Sequence, residues 1–464
     1  MKRRNFIQST GKGVAGLALS NMLSNLSCSH RSEPVNIILL LTDDQRWDAL
    51  GCAGNNIIQT PNMDLLAKNG IRFANAFVTT PICAASRASI FTGLYERTHG
   101  YTFTKPPIAL EYIHNSYPCL LRRAGYRTGF IGKFGVQVPE GAAEEMFDDF
   151  QPDHYPYVKI INGEKRHLTN VNFDRAISFI QSCDPAQPFC LSISTNAPHA
   201  DDGAPEQYFW PESCDDLYQD IKIPAPQLSD PEFFTALPGF IKESLNRIRW
   251  HWRFDTPEKY QRMVKGYYRM ISGIDQALGR LLTELRRLHL DQNTVIILTS
   301  DNGYFLGERG FAGKWTMHDV SIRIPLIILD PRLPEKNHIR LINDMVLNID
   351  LTPTILEFAG VLIPAIYQGK SLVPFVNGEE SSWRSEILTE HLWDRADIPQ
   401  TEGLRTENWK YIRYLQHPEY EELYNLADDP WEGKNLAYNP IYRDQLNSLR
   451  QKCDQQVEQI KPRR

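Results

Sequence analysis

The run VNIILLLTDDQ, residues 35–45, gives the clearest indication of the fold of this 464-residue chain. Its first part, Val35 to Leu41, is almost continuously apolar and gives way abruptly to Asp43 and Asp44. Such a run is typical of a strand that is buried on both faces of a parallel sheet. The two acids are therefore expected at the carboxyl end of a buried strand.

The same pattern returns three times along the chain. RTGFIGKFG (127–135) ends near Lys133, FCLSISTNAPHA (189–200) ends near His199, and TVIILTSDNGYF (294–305) contains Asp301 and Asn302. Helical patterns lie between these strands, such as TPNMDLLAKNG with Thr60 as its expected cap, and the long segment 257–288. This alternation predicts an α/β fold with a large, mainly parallel sheet flanked by helices. Ligands bind beyond the carboxyl ends of such strands, so the polar residues should converge on one rim.

The last part of the chain has a different pattern. A helix is predicted to open near Thr352 and to stop at Gly360. The segments SEILTEHLW, GLRTENWKYIRYL and EELYNLADDP that follow are short, β-rich and separated by turn residues. They predict a smaller antiparallel sheet, closed by a helix from about Asn439 onward. The expected division is an α/β domain over 28–375 and a C-terminal α+β subdomain over 376–464.

Residues 1–27 are predicted to be an export signal. They start with basic residues, include Arg3-Arg4 as in twin-arginine signals, and carry an apolar stretch too short to span a membrane. Cys28 follows a weak lipoprotein cleavage box and is a candidate for lipidation. We expect an exported protein, periplasmic or anchored to the membrane as a lipoprotein, with the export machinery as a partner. An ordinary N-terminal helix of a cytosolic protein is the alternative, disfavoured because no acid precedes Glu33.

Charge and cysteine content narrow the function classes. Removal of the four basic residues within 1–27 takes the formal charge from -6 to -10. An acidic mature protein argues against a nucleic-acid partner. The eight cysteines include no CxxC pair, and their pairing stays open.

Two polar pairs predict a metal site on the rim. Asp43, Asp44, Asp301 and Asn302 offer hard oxygen ligands, which suit Ca²⁺, or less well Mg²⁺, and not Zn²⁺. Either pair alone would more often be a helix cap or a solvated turn.

Cations and one histidine complete the predicted rim. Arg87, Lys133 and Lys314 lie in apolar surroundings and together would bind a tetrahedral anion such as sulfate or phosphate. His199 has a side chain suited to protonating a leaving oxygen. A nucleophile is still missing from this set.

Cys83, in PICAASRASIFTG (81–93), stands where that nucleophile should be. The residues after it are typical of the first turns of a helix, a favourable place for an oxyanion. A thiolate is a soft ligand and matches a hard cation poorly. Cys83 therefore makes chemical sense mainly if it is converted to an oxygen-bearing group.

These residues carry a family resemblance. CAASRASIFTG is similar to the signature CxPSRxxxxTG of the formylglycine-dependent (type I) sulfatases, which belong to the alkaline-phosphatase-like superfamily and include bacterial polysaccharide sulfatases. The resemblance covers nearly the whole mature chain and extends to TDDQRWDALGCAGN, LRRAGYRTGFIGK, APHAD, SDNGYFLGERGFAGKWTMHDVSIRIPLI and ELYNLADDPWEGKNLA.

The resemblance implies a catalytic arrangement. Cys83 would become formylglycine through a sulfatase-maturating enzyme, and its hydrate would bind Ca²⁺ together with Asp43, Asp44, Asp301 and Asn302. Lys133 and Lys314 would hold the sulfate and Arg87 the hydrate. One hydroxyl would attack sulfur while His199, helped by Lys314, protonates the departing alcohol.

Two positions depart from the family pattern. Ala85 replaces the usual proline, a form similar to sulfatases matured in the cytosol by a radical enzyme. Gly135 replaces a common histidine, which leaves open the base that assists breakdown of the sulfated intermediate. His99 and His318 are the candidate substitutes.

The expected activity is desulfation of a sulfated polysaccharide, at the oligosaccharide level or from a chain end. Candidate sugar contacts lie beside the catalytic motifs: Arg97, His99, Tyr101, Asp201, Asp202, Trp315 and His318. For each of these residues the alternative is that its side chain packs inside the protein and does not contact sugar. Rival functions are a phosphodiesterase or phosphonate monoester hydrolase of the same superfamily, and a catalytically silent glycan-binding homologue.

Overall fold

The computed structural model describes residues 34–103, 105–333, 340–379 and 382–461. The predicted export signal, residues 1–27, and the candidate lipidation site Cys28 lie outside these ranges. Within them, no helix is both long enough and apolar enough to cross a membrane.

Strands and helices alternate along most of the chain. The strands are β1 Asn36–Thr42, β2 Ile71–Phe77, β3 Arg127–Gly132, β4 Asp149–Pro152, β5 Val158–Ile161, β6 Glu164–His167, β7 Phe189–Ser194, β8 Thr294–Ser300, β9 Phe305–Leu306, β10 Ala312–Gly313, β11 Arg323–Ile324, β12 Leu326–Leu329, β13 Arg340–Leu347, β14 Glu386–His391, β15 Thr401–Thr406, β16 Trp409–Tyr414 and β17 Glu421–Asn425. The helices are α1 Pro61–Asn69, α2 Cys83–Thr92, α3 Glu96–His99, α4 Leu110–His114, α5 Tyr117–Arg123, α6 Ala142–Met146, α7 Leu168–Gln181, α8 Pro231–Thr235, α9 Gly239–Lys242, α10 Leu245–Arg253, α11 Pro257–Arg287, α12 Asp319–Ile322, α13 Leu351–Phe358, α14 Val373–Asn377 and α15 Arg443–Ile460.

The main sheet has, among the described residues, nine strands in the order β11-β2-β12-β8-β1-β7-β3-β4, with β13 paired to β2. Strands β8, β1, β7, β3 and β4 run parallel to one another, whereas β11 and β12 are antiparallel to their neighbours. The predicted large, mainly parallel sheet is confirmed.

Strand β1 lies inside this sheet and is buried on both faces. Ile37, Leu39 and Leu41 pack into one hydrophobic core. Ile38 and Leu40, which point to the opposite face, pack into a second core that includes α7 and α11. A strand with helices on both faces has no solvent-facing side, which explains its continuous apolar run.

The C-terminal sheet is antiparallel throughout, in the order β14-β15-β16-β17, as predicted. Its side chains, such as Leu404 and Tyr411, belong to the same hydrophobic core as Ile37. The division predicted between residues 375 and 376 falls inside α14. It therefore separates two sheets that share one core.

Some element ends differ from the predictions. Thr60 occupies the predicted N-cap position of α1, but its hydroxyl makes no capping bond; it accepts from the Gly51 N–H at 2.9 Å and donates to Asp64 Oδ1 at 3.2 Å. The C-terminal helix, predicted from about Asn439, begins at Arg443, and Asn439 caps the short 3-10 turn over 440–442 that leads into it.

Candidate active site

The carboxyl ends of β1 and β8 bring the two predicted polar pairs together. Thr42 lies opposite Ser300 in the parallel register, so the next residues of both strands leave the sheet side by side. The Asp44 N–H donates to Asp301 Oδ1 at 3.2 Å, and Asn302 Nδ2 donates to Asp44 Oδ1 at 2.5 Å. Asp44 takes a left-handed conformation with a φ of 66°. This turn brings the backbone N–H and the carboxylate of Asp44 next to Asp301 and Asn302.

Three side-chain oxygens in this cluster are buried and have no hydrogen-bond partner among the described residues. They are Asp43 Oδ1, Asp44 Oδ2 and Asn302 Oδ1. Asp43, Asp44 and His199 also offer ligand atoms that all lie within 4.8 Å of one another. Buried polar oxygens without partners are costly, unless a cation satisfies them. The donor set is mainly carboxylate and amide oxygen, which fits a hard divalent cation.

Three cations surround these carboxylates. Arg87 Nε donates to Asp301 Oδ2 at 2.8 Å, Lys133 pairs with Asp43, and Lys314 pairs with Asp44. Burial alone would raise the pKa of Asp43, but the nearby cations hold this pKa well below its usual value. For Asp301, burial and the repulsion of Asp43 dominate and raise the pKa to about 6.

Cys83 is the first residue of α2, a helix whose ten residues are all buried. Only 6% of its surface is exposed. Burial would lower the pKa of Arg87, Lys133 and Lys314, yet all three are raised, because carboxylates and the Cys83 sulfur lie close to them. The predicted nucleophile position and the three cations thus share one site.

Arg87 lies one turn after Cys83 on the same helix, and three groups outside this helix hold its side chain. Besides Asp301, its guanidinium donates to the Lys133 carbonyl at 2.6 Å and to Ser194 Oγ at 2.5 Å. Gly135 lies against this side chain with a φ of 72°, and a Cβ there would be 2.7 Å from Arg87 Cδ. The arginine therefore fills the space that a histidine side chain at position 135 would need.

His199 lies beside the carboxylates with Nε2 3.7 Å from Asp44 Oδ2. Its Nδ1 is 2.5 Å from the Ala200 carbonyl oxygen, so Nδ1 carries the proton and Nε2 is the free acceptor of the neutral ring. Burial outweighs the attraction of Asp44 and Asp43 and lowers the pKa of His199 to about 4. An anion bound next to the ring would raise this pKa.

The residues predicted to contact sugar are mostly engaged inside the protein. Arg97 pairs with Glu390 at 3.0 Å and with Glu402. Tyr101 is buried, and its hydroxyl accepts from the Gln137 N–H at 2.9 Å. Only the Asp201 side chain makes a purely local contact, accepting from the Gly203 N–H at 3.1 Å.

The two histidines considered as substitutes for Gly135 are likewise occupied. His99 is buried, with Nε2 3.1 Å from Ser89 Oγ and Nδ1 accepting from the Tyr101 N–H. Burial lowers the pKa of His99 to about 3. His318 is also buried, with Nδ1 3.0 Å from Thr316 Oγ1 and Nε2 3.1 Å from Glu422 Oε2. Both rings are thus engaged by protein groups, and a contact of either ring with the substrate stays a prediction.

The structure also gives different partners to the other two predicted sugar contacts. The Asp202 carboxylate binds Arg249 and Arg253 of α10. Trp315 is 4% exposed and carries the Arg249 guanidinium over its ring at 4.7 Å. Helix α10 was not predicted as part of the site. Its signal in the sequence is a spacing of three and four between Asn246, Arg249 and Arg253.

Comparisons with known proteins find similar sequences over most of the chain. The sequence model of the family described as "Sulfatase" matches residues 35–361, and that of "N-sulphoglucosamine sulphohydrolase, C-terminal" matches residues 307–459. An N-acetylglucosamine-6-O-sulfatase of Bacteroides thetaiotaomicron is 29% identical over 95% of this chain and 90% of its own length. An arylsulfatase of Clostridium perfringens is 29% identical over 89% of this chain and 92% of its own length.

Solved structures show the same fold. The structure of BT4656 in complex with its substrate, D-glucosamine-2-N,6-O-disulfate, has a TM-score of 0.81 at 26% identity and covers 92% of this chain and 98% of its own. A phosphonate monoester hydrolase of Agrobacterium radiobacter has a TM-score of 0.70 at 21% identity, covering 92% and 96%.

Proposed function

Since this chain belongs to the sulfatase family and is a sulfuric ester hydrolase, we propose that it removes sulfate from a sulfated carbohydrate, using formylglycine made from Cys83 and a bound Ca²⁺. One sequence match and one structural match, each covering most of this chain, support the choice of a saccharide. One is named for N-acetylglucosamine 6-O-sulfate, and one was solved with a disulfated glucosamine.

The observation that carries the proposal is the set of unpartnered oxygens beside Cys83. Asp43, Asp44 and Asn302 would hold the cation through these oxygens, with Asp301 as the fourth ligand. When bound, Ca²⁺ supplies positive charge that holds and polarises an anionic ester. Carboxylate and amide oxygens favour Ca²⁺ over Zn²⁺, and Mg²⁺ fits the same donors less well.

The modification of Cys83 supplies the nucleophile. The hydrate of formylglycine would provide a hydroxyl as nucleophile. A thiol at the same place would be a soft ligand, poorly matched to the hard cation. The N-terminal position of Cys83 on α2 favours negative charge at that point. Arg87, fixed by Asp301 and Ser194, would hold the modified residue in one orientation.

The remaining side chains have distinct tasks. Lys133 and Lys314 would bind sulfate oxygens, since their ammonium groups flank the carboxylates on the same rim. His199 would give a proton to the departing sugar oxygen. Because its ring is neutral in the free protein, the anionic ester itself has to raise its pKa before that step.

The finer cellular assignment also belongs to the proposal. Residues 1–27 would direct export, Cys28 would be a lipid-anchor site, and the mature enzyme would act in the periplasm or at the membrane surface. A maturating enzyme acting on Cys83 is the implied partner. We retain 28–375 as the catalytic part and 376–464 as the C-terminal subdomain.

Mass spectrometry of the tryptic peptide 73–87 tests the proposal first, on protein made together with a maturating enzyme. We expect the mass to fall by the difference between a thiol and an aldehyde, and we expect this protein to release sulfate from glucosamine 6-sulfate or related sulfated oligosaccharides. Cys83→Ala should fold normally and release none. An unmodified Cys83 in a preparation that binds saccharide without turnover would instead favour a silent binding protein. Faster hydrolysis of a phosphate ester than of the matching sulfate ester would favour a phosphodiesterase or phosphonate monoester hydrolase.

A further inference from the structure

Helix α10 presents a buried polar face to the site. Asn246, Arg249 and Arg253 are 3%, 8% and 0% exposed and lie on one side of the helix, because they are spaced by three and four residues. The other residues of this helix, whose sequence is LNRIRWHWR, are exposed or half-buried. A helix that buries its charged side is unusual, since buried charges need partners.

The partners of this face lie on three different loops of the site. Asn246 Nδ2 donates to the Lys314 carbonyl at 2.9 Å. Arg249 and Arg253 both bind the Asp202 carboxylate, three residues after His199. Arg253 Nη1 also donates to the Tyr304 hydroxyl at 2.8 Å, two residues after Asn302. One rigid element therefore touches the loops that carry Lys314, His199 and Asn302.

The loop around Lys314 needs such support. Trp315 has a φ of 82°, a conformation that is strained for a bulky residue and persists only where the surroundings impose it. The Arg249 guanidinium over the Trp315 ring, at 4.7 Å, and the bond from Asn246 to the Lys314 carbonyl are such surroundings. The strain thus lies directly beside a residue of the proposed site.

Stability alone is a poor explanation for this arrangement. Two guanidinium groups share one carboxylate, and the buried Nε atoms of Arg249 and Arg253 find no hydrogen-bond partner in the part of the chain that the structure describes. Buried charge networks of this kind often stabilise a fold no better than apolar packing would. What they do provide is one fixed geometry for the groups that they join.

We propose that Arg249, with Asn246 and Arg253, is a positioning residue that sets His199 and Lys314 relative to each other for protonation of the leaving oxygen. The inference rests on the proposed function, because it assumes that His199 delivers this proton. Arg249 acts through the Asp202 loop on one side and through Trp315 on the other. It need not touch the substrate.

A dependence on the leaving group separates this role from general structural support. 4-Nitrophenol leaves readily as an anion, whereas the phenol of phenyl sulfate needs more help from an acid. Loss of proton delivery should therefore slow phenyl sulfate much more than 4-nitrophenyl sulfate. A general loss of folded protein would slow both esters by the same factor.

The test compares kcat/KM for these two esters in matured wild type, Arg249→Met and Arg249→Lys. We expect Arg249→Met to lose about 10–100-fold with phenyl sulfate and less than about 3-fold with 4-nitrophenyl sulfate. Arg249→Lys, which keeps the charge but not the planar fork, should restore only part of the loss. Arg269→Met is the matched control, since Arg269 also covers a tryptophan ring at 4.7 Å but binds the Leu217 carbonyl in another region.

Equal losses for the two esters, or no loss, would overturn the inference. If Arg249→Met does not fold, Asn246→Ala removes a single hydrogen bond to the Lys314 loop and should show the same preferential loss in weaker form. His199→Ala separates the proposed role of His199 from the proposed role of Arg249. If His199→Ala is itself insensitive to the leaving group, the proposed role of His199 fails, and the inference about Arg249 fails with it. If only the Arg249 and Asn246 variants are insensitive, the proposed function stands and this inference alone is wrong.

Discussion

The contact between Gly135 and Arg87 leads to a quantitative prediction. The family commonly has histidine at this position, so a side chain there could be expected to restore a missing group. The structure predicts the opposite, because even the single methyl group of Gly135→Ala would lie 2.7 Å from Arg87 Cδ. We expect the substitution to destabilise the protein and to lower sulfate release.

The expected cost has two parts. A residue with a Cβ in the left-handed region costs about 1–2 kcal/mol. The Cδ of Arg87 cannot move away freely, because its guanidinium is fixed by Asp301, Ser194 and the Lys133 carbonyl. Loss of one hydrogen bond from a charged group adds about 1.5–3 kcal/mol. Gly135→Ala should therefore cost about 3–5 kcal/mol, a large part of the stability of an ordinary protein.

Gly141→Ala is the matched control. Gly141 also has a positive φ, of 81°, but a Cβ there would meet no atom within 4 Å. Its cost should be the backbone part alone. For a chain of this size 1 kcal/mol corresponds to about 1 °C in Tm, so thermal unfolding should show shifts of about 3–5 °C and about 1–2 °C.

Activity measurements complete this test. Displacement of Arg87 should reduce kcat by at least about tenfold in Gly135→Ala, and Gly141→Ala should be unaffected. Equal Tm shifts in the two variants together with full activity in Gly135→Ala would show that Arg87 is not confined as described. Gly135→His should be worse than Gly135→Ala, and improved turnover in that variant would show that the space beside Arg87 is open to a larger side chain.

Three further predictions concern the metal, one lysine and one buried acid. Ca²⁺ should raise Tm and restore the activity of chelator-treated enzyme, and Asp43→Asn should abolish the Tm increase; an unchanged response in that variant would mean that the cation binds elsewhere. Lys314→Met removes the ammonium group that pairs with Asp44 and should lower kcat by about 10²–10³-fold. An unchanged kcat would show that Lys314 does not take part in the reaction. Burial and the repulsion of Glu390 raise the pKa of Glu96 to about 8, so its contribution to stability is present below its unfolded value of 4.5 and is lost as the pH rises toward 8. Glu96→Gln should therefore raise Tm at about pH 9 and leave it nearly unchanged near pH 4, and a uniform shift would contradict this assignment.

The sheet and the convergence of its loops could be predicted from the sequence for a physical reason. Buried parallel strands have to be apolar on both faces, and a polar residue that follows such a strand must lie at the carboxyl edge. This places Asp43, Asp301 and Lys133 together without knowledge of any distance. Their chemical roles remain predictions that the proposed experiments test.

The burial of several candidate substrate contacts could not be predicted from the sequence, and their contact with substrate stays a prediction. Tyr101, Trp315 and His318 stand beside catalytic motifs, but their side chains turn into the protein and are buried. The role of Asp202 was missed because its partners lie on α10, about fifty residues away along the chain. No local pattern reports such a pairing, since it depends on how two elements pack.

The burial of Cys83 has a consequence for timing. An enzyme that alters this side chain has to surround it, but in the folded protein the residue is 6% exposed and is covered at the start of a buried helix. Under the proposed function, the alteration would then precede folding, while residues 81–93 are still an accessible peptide. A molecule that folds first would keep its thiol and stay inactive until it unfolds. Under the proposed function, the yield of working enzyme therefore depends on a race between modification and folding during synthesis.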